Sequence, residues 1–197
     1  MMRILGIDPG LRCTGWGVIA FDGGRLQHIA NGAIQPKPTL EDAARLQIIF
    51  DGLCEVITLH QPDQAAIEQI FVAKSAGSAL RLGMARGVGI LACGVNRLGV
   101  GEISARAVKK AVAGTGTADK KQIQDMVARL LAVTAQNADA ADALAIAIAA
   151  SNEAGTAASV GVELSQGQMS QGQMGKGLSA AIAAALARDD ASNGGKT

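Results

Sequence analysis

Tyrosine is absent from this sequence, tryptophan occurs once and phenylalanine three times, so aromatic side chains make up only 2% of 197 residues. Hydrophobic residues still reach 49%, and the length suffices for one domain with a real core. That core must be built from Ala, Val, Ile and Leu, whose small volumes favour close-packed helices over large pockets. Cysteine is scarce too. Cys13, Cys54 and Cys93 are odd in number, far apart and never in a CxxC, which argues against a disulfide frame or a zinc site and for free thiols in a reducing cytoplasm. Histidine is limited to His28 and His60. Neither has a second His or Cys at ligand spacing, so both read as structural, and Trp16 reads as core. No apolar run is long and uninterrupted enough to cross a bilayer. No secretory signal is visible, because Met-Met-Arg leads straight into a strand pattern. The expectation is a cytoplasmic protein with no membrane partner.

Net charge is only +1, but its distribution is uneven. From Phe71 to Lys121 the basic residues are Lys74, Arg81, Arg86, Arg97, Arg106, Lys109, Lys110, Lys120 and Lys121, against Glu102 and Asp119 alone. A phosphate-binding face and a solvated helix surface both account for such a stretch.

Arg3 to Asp8 reads as a buried strand, broken by Pro9-Gly10. Thr14 to Asp22 is a second strand, with glycines where backbone or ligand comes close. Asp22-Gly23-Gly24 is a hairpin turn, and Arg25 to Gln35 a third strand, ended by Pro36 and Pro38. Thr39 with Asp42 three residues on is close to a capping box. It opens a helix carrying Leu46, Ile49, Leu53 and Ile57 at helical spacing, which Pro62 stops. Gln64 to Ile70 is a fourth strand. Ala76 to about Leu98 is a long helix with Leu80, Met84, Val88 and Leu91 on one stripe, and with Gly83 and Gly87 offering a flat strip to another helix. Val100 to Ile103 is a fifth strand. Ala105 to Val112 and Lys120 to Ala132 are helices joined through Gly114-Thr115-Gly116, and Asn137 caps a last Ala-rich helix to about Ser151. The order predicts an α/β fold, a mixed five-stranded sheet with helices on both faces, over residues 1–151. Residues 152–197 read as a flexible Gly/Ser/Gln/Ala-rich C-terminal tail, with the repeat SQGQM-SQGQM and a short helix from Leu178 to Arg188.

Four acids stand out against this frame. Asp8 ends the first strand just before Pro9-Gly10 and projects from the sheet edge. Glu68 lies within an apolar strand, where a charge is costly unless paired or bound to a cation. Asp139 and Asp142, three apart, share one face near the start of the last helix, where the helix N-terminus favours their ionised form. No basic partner is adjacent in sequence. Hard oxygen ligands suit Mg²⁺ or Mn²⁺ rather than zinc, and carboxylates around two such ions form a phosphodiester-cleaving device. Taken singly, Asp8 also fits a turn cap and Asp139 a helix-start residue.

The motif ILGIDPGLRCTGWGV, the strand AIEQIF, the helix segment SALRLGMARGV and the final ADAADALAIAIA resemble the RuvC family of Holliday-junction resolvases, over about residues 2 to 151. The resemblance implies a ribonuclease-H-like fold and a homodimer. It also implies a crossover junction endonuclease that makes paired symmetric nicks in four-way junction DNA during recombination and repair. Its metal-binding catalytic acids fall on Asp8, Glu68, Asp139 and Asp142, holding two Mg²⁺ ions that Mn²⁺ can replace. Some members carry His in place of the first acid of the last helix; this chain has Asp139. Lys109 and Lys120 match basic residues near the scissile phosphate or DNA backbone, and Phe71 matches an aromatic that stacks on an unpaired base, with internal packing as its alternative. Lys74 and Arg81, from the same basic stretch, join them as expected DNA contacts. The RuvA-RuvB branch-migration complex is the implied protein partner. GIDPG followed by TGWG also resembles the phosphate-binding hairpin of actin-like ATPases and sugar kinases, which keeps a nucleotide-binding protein as the alternative.

Overall fold

Strand β1 (Met2–Asp8) is covered on both faces, its central residues Ile4 to Ile7 being buried. Ile4 belongs to the core on one face of the sheet, while Leu5 and Ile7 belong to the core on the other. The two-residue period of a strand therefore puts Gly6 and Asp8 on the side of Ile4. Because both faces carry buried aliphatic residues, this sheet needs helices on both sides. The computed structural model, which describes residues 1–69 and 75–160, supplies them.

The sheet order is β3-β2-β1-β4-β5. β2 (Thr14–Asp22) and β3 (Arg25–Ile34) form an antiparallel meander with β1. β4 (Gln64–Glu68) and β5 (Val100–Ile103) run parallel to β1 on its other side. Helices α1 (Asp42–His60) and α2 (Ala76–Val95) cover one face, over Leu5, Ile7, Val18 and Ile67. Helices α3 (Ala105–Ala113), α4 (Lys120–Leu131) and α5 (Ala138–Val160) cover the other, over Ile4, Ile19, Ala66 and Ile103. The expected mixed five-stranded α/β architecture is present.

Several local expectations are corrected. Helix α1 starts two residues later than a Thr39 cap requires: its N-cap is Glu41, with no side-chain cap bond. The 3.6-residue pattern marks the core face correctly, with Ile49, Leu53, Val56 and Ile57 buried, but does not fix the first turn. Strand β4 ends at Glu68 rather than Ile70, so Glu68 is the last residue of its strand and not an interior one; Ile70 lies outside the described residues. Helix α2 turns a small-residue strip to the sheet, with Ala85, Gly89, Ala92 and Cys93 buried. A Cβ on Gly89 would lie 3.2 Å from Ile67 Cδ1, so close approach, not bulk, seats this helix. Much of the Leu80–Leu91 stripe therefore faces outward: Leu80 is 66% and Leu91 56% exposed. Helix α2 is also long and apolar enough to cross a membrane by length and composition alone, although Arg81 and Arg86 interrupt its apolar run. Helix α5 runs to Val160, past the expected end at Ser151, since the small residues after Asn152 do not break it. The repeat and the short helix expected further on lie outside the described residues.

His60 packs its ring 5.6 Å from that of half-buried Trp16. His28 bonds Asn31 Nδ2 at 2.8 Å, and Asn31 Oδ1 accepts the Gln136 N–H at 2.8 Å. Both histidines are engaged structurally, and the second chain of bonds ties β3 to the segment leading into α5.

Candidate active site

Three glycines bring α5 onto the sheet. A Cβ on Gly15 would lie 2.0 Å from the Asp139 carbonyl oxygen, one on Gly6 2.0 Å from that of Ala143, and one on Gly17 2.6 Å from Leu144 Cδ2. No side chain fits at Gly6 or Gly15, so the helix backbone rests on the strands. Asp8 pairs with Gly15 in the β1–β2 register, and this contact carries Asp139 and Asp142 to it. Asn137 caps the helix through its Oδ1, which accepts the Ala140 N–H at 2.8 Å. Both acids thus lie near the positive end of the helix dipole. The loop after Asp8 is clamped by buried Thr14, whose hydroxyl donates to the Gly10 carbonyl at 2.8 Å and accepts the Gly10 N–H at 3.3 Å. Gly10 has no room for a Cβ, which would meet the Cys13 carbonyl at 2.4 Å.

One carboxylate oxygen each of Asp8, Asp139 and Asp142 lies within 4.8 Å of the others. Glu68 is not in that triad, but it lines the same cavity of about 210 Å³ with Asp8, Asp142, Lys109 and Lys120. Its strand end is held by Arg86, which donates from Nε to the Glu68 carbonyl at 3.3 Å and pairs with Glu102 at 2.7 Å. Lys120 Nζ binds Asp142 Oδ2 at 2.6 Å. The cation partner absent from the acids' sequence neighbourhood thus comes from the first residue of α4.

The electrostatics record the crowding. Asp8 is pushed up to about 7 by burial first, then by the charges of Asp142, Glu68 and Asp139, against a smaller opposing effect of Lys120. Glu68 and Asp142 are raised as well, chiefly by burial, with Lys120 acting against burial at both and Lys109 at Glu68. Lys120 is raised, first by its bond to Asp142. Four acids face two lysines, and every donor of the triad is a carboxylate oxygen. Such a set fits a hard divalent cation, which relieves the repulsion that raises Asp8.

Of the other expected site residues, Lys109 lies on this cavity, and Arg81 lies on a separate, larger groove bordered by Asp139. Phe71 and Lys74 lie outside the described residues. The basic stretch is not one face: Arg86 braces β4, while Lys110 and Lys121 are exposed away from the cavity lining. Sequence reasoning missed Cys13. Its thiol is pushed up to about 11 by burial and by a hydrogen bond to Asp139, and Gln35 Nε2 donates to it at 3.5 Å. Position in the loop directly after DPG was the available signal.

A family model described as crossover junction endodeoxyribonuclease RuvC matches residues 4–150. The chain belongs to the RuvC family. The crossover junction endodeoxyribonuclease RuvC of Geobacter metallireducens is 53% identical over 156 residues, 78% of this chain and 94% of that protein. Its counterpart from a Caulobacter strain is 51% identical over 152 residues, 77% and 90% of the two chains. Among solved structures, T. thermophilus RuvC in complex with a Holliday junction substrate superposes with a TM-score of 0.74 at 29% identity, covering 78% of this chain and 95% of that one. RuvC-family nucleases use divalent metals, and the acid cluster here is of a kind that could hold one.

Proposed function

We infer that this chain is a Holliday-junction-resolving endonuclease, making paired symmetric nicks in four-way DNA junctions during recombination and repair. The observation that carries the reading is the meeting of carboxylates from β1, β4 and α5 beside Lys109 and Lys120 in a RuvC-family chain. Asp8, Glu68, Asp139 and Asp142 would hold two Mg²⁺ ions, with Mn²⁺ as a substitute. When bound, such ions supply an activated water and offset charge at the scissile phosphate and the leaving oxygen.

The residues do the rest. Asp8, raised to about 7, sheds its remaining proton when positive charge enters the cavity. Lys120 keeps Asp142 ionised and oriented; with a phosphate present, its ammonium turns to the phosphate oxygens and stabilises the charge that builds there. Lys109, from the facing helix α3, anchors a neighbouring phosphate. Apolar Val108, Ile123 and Ile146 close the cavity wall and strengthen these interactions by excluding water.

The exposed α2 surface of Leu80, Gly83, Gly87 and Leu91 supports a homodimer, whose two-fold symmetry would present two cavities to two opposed strands. RuvA-RuvB is the partner this family membership suggests, and three free cysteines suit the cytoplasm. A nucleotide-binding protein would leave Asp139 and Asp142 without a role.

A four-way-junction nicking assay in Mg²⁺ tests the reading. Wild type should nick opposed strands symmetrically. Asp8→Asn and Glu68→Gln should lose roughly a hundredfold or more in rate, as when a charge-stabilising group leaves a preorganised site, while still binding the junction. Variants that cut like wild type would refute the site. Thermal stabilisation by ATP but not by junction DNA would favour the nucleotide reading.

A further inference from the structure

Beside the acid cavity runs a groove of about 1100 Å³, formed by the β1–β2 loop, the segment after β3 and the start of α2. Arg12, Lys37 and Arg81 reach it from these three elements, and all three are exposed. Among the described residues no side-chain hydrogen bond or ion pair engages any of them; Lys37 only accepts the Leu40 N–H at its backbone carbonyl, at 3.2 Å. Arg45, also in the lining, behaves differently. It pairs with Asp42 at 3.3 Å and donates to the Leu11 carbonyl at 2.9 Å, with its side chain only 11% exposed. It therefore fixes the loop from which Arg12 projects. Among the described residues the one acid in the lining is Asp139, which also belongs to the carboxylate triad.

A solvated surface explains single cations, which usually find a carboxylate nearby. It does not explain three unpaired cations from three separate elements on one concavity. We propose that Arg12, Lys37 and Arg81 grip the phosphate backbone of the DNA strand as it runs on from the acid cavity, making this groove a second, non-catalytic anchor for the substrate. The proposal rests on the junction-nuclease reading and adds Arg12 and Lys37 to it. Asp139 stands at the boundary, so a strand with one phosphate at the carboxylates passes directly into the groove. Contacts of this kind give affinity and register without reading sequence. An acidic protein segment is the competing occupant. It carries no phosphodiester for the metal-loaded acids to hold, so nothing would align it with the cavity next to the groove.

The test uses the full chain with Arg12→Ala/Lys37→Ala, and with Arg12→Glu/Lys37→Glu as the stronger perturbation. Lys110→Ala, on the exposed face of α3, is the control. Junction affinity is measured at several salt concentrations in Ca²⁺, and single-turnover nicking at saturating enzyme in Mg²⁺. The double Ala variant should bind roughly tenfold to a hundredfold more weakly, with a log–log salt slope shallower by about 2, close to one per lost phosphate contact. The Glu pair should bind more weakly still. Nicking of fully bound junction should stay within about twofold of wild type, and melting temperature should not change, both substitutions being at exposed sites. Unchanged affinity and slope, or lost nicking at unchanged affinity, would overturn the proposal. If wild type itself fails to nick the junction, the nuclease reading fails instead, and the two failures are thereby told apart.

Discussion

Asp8 offers the sharpest physical test, because its proton is coupled to the stability of the metal-free fold. In the folded state the carboxyl is pushed from its ordinary 3.8 up to about 7. Below pH 3.8 both folded and unfolded chains are protonated there. As pH rises, the unfolded chain releases the proton first, so the folded state binds more protons and stability falls until about pH 7. At about 1.4 kcal/mol per pH unit, the loss approaches about 4 kcal/mol by pH 8. Asp8→Asn removes the ionisation without removing much volume. In EDTA the variant should therefore melt above wild type, by about 1 kcal/mol at pH 4.5 and about 4 kcal/mol at pH 8, the latter roughly 10 °C for a domain of this size. Glu68 and Asp142 are raised too, so part of the slope survives in the variant. Adding Mg²⁺ at pH 8 should stabilise wild type by about 3 kcal/mol at a hundred times its dissociation constant, and Asp8→Asn far less. Differential scanning fluorimetry across pH 4.5–8.5, with and without Mg²⁺, measures all of this. A gap between variant and wild type that does not grow with pH, or an Asn variant less stable than wild type in EDTA at pH 8, would refute the reasoning.

Gly15→Ala drives a methyl into the Asp139 carbonyl and should cost about 1–3 kcal/mol in urea unfolding, with nicking lost disproportionately as α5 shifts; unimpaired nicking would contradict the contact. Lys120→Ala breaks the 2.6 Å pair with Asp142; the expected result is tighter Mg²⁺ binding by calorimetry, because the resident cation is gone, but slower single-turnover nicking. Leu80→Asp/Leu91→Asp places charges on the exposed face of α2 and should sediment as a monomer at micromolar concentration, where the proposed homodimer requires wild type to sediment as a dimer; a wild-type monomer would refute it.

Much of the sheet was legible because strand alternation and turn residues act locally. β2 and β5 begin and end where the pattern places them, and Asn137 caps α5 as expected. Errors arose where a local signal competed with a tertiary one. Thr39 has cap chemistry, but the helix starts where the chain meets the core. The apolar stripe of α2 is the conspicuous pattern in the sequence and leaves open which side meets the sheet; it is the Ala and Gly strip that fits the narrow space over Ile67. Glu68 was singled out as an interior strand charge, whereas it ends β4 as Asp8 ends β1, in adjacent parallel strands. The acids themselves stand out in the sequence as candidates. What brings Asp139 to Asp8, and Lys120 to Asp142 from 22 residues away, is a packing distance between elements, which no local pattern encodes.

Gly6 and Gly15 let the backbone of α5 rest directly on the strands. Wherever side chains separate two elements, rotamer hops and thermal expansion of the layer change their spacing. Here the spacing is a sum of atomic radii with nothing soft in between. The site therefore carries its own gauge block: the interval between Asp8 and the helix acids should drift little with temperature, ionic conditions or substitutions elsewhere in the core. The same stiffness leaves no slack for repair, since no second-site change in a neighbouring side chain can make room for a methyl group between two backbones.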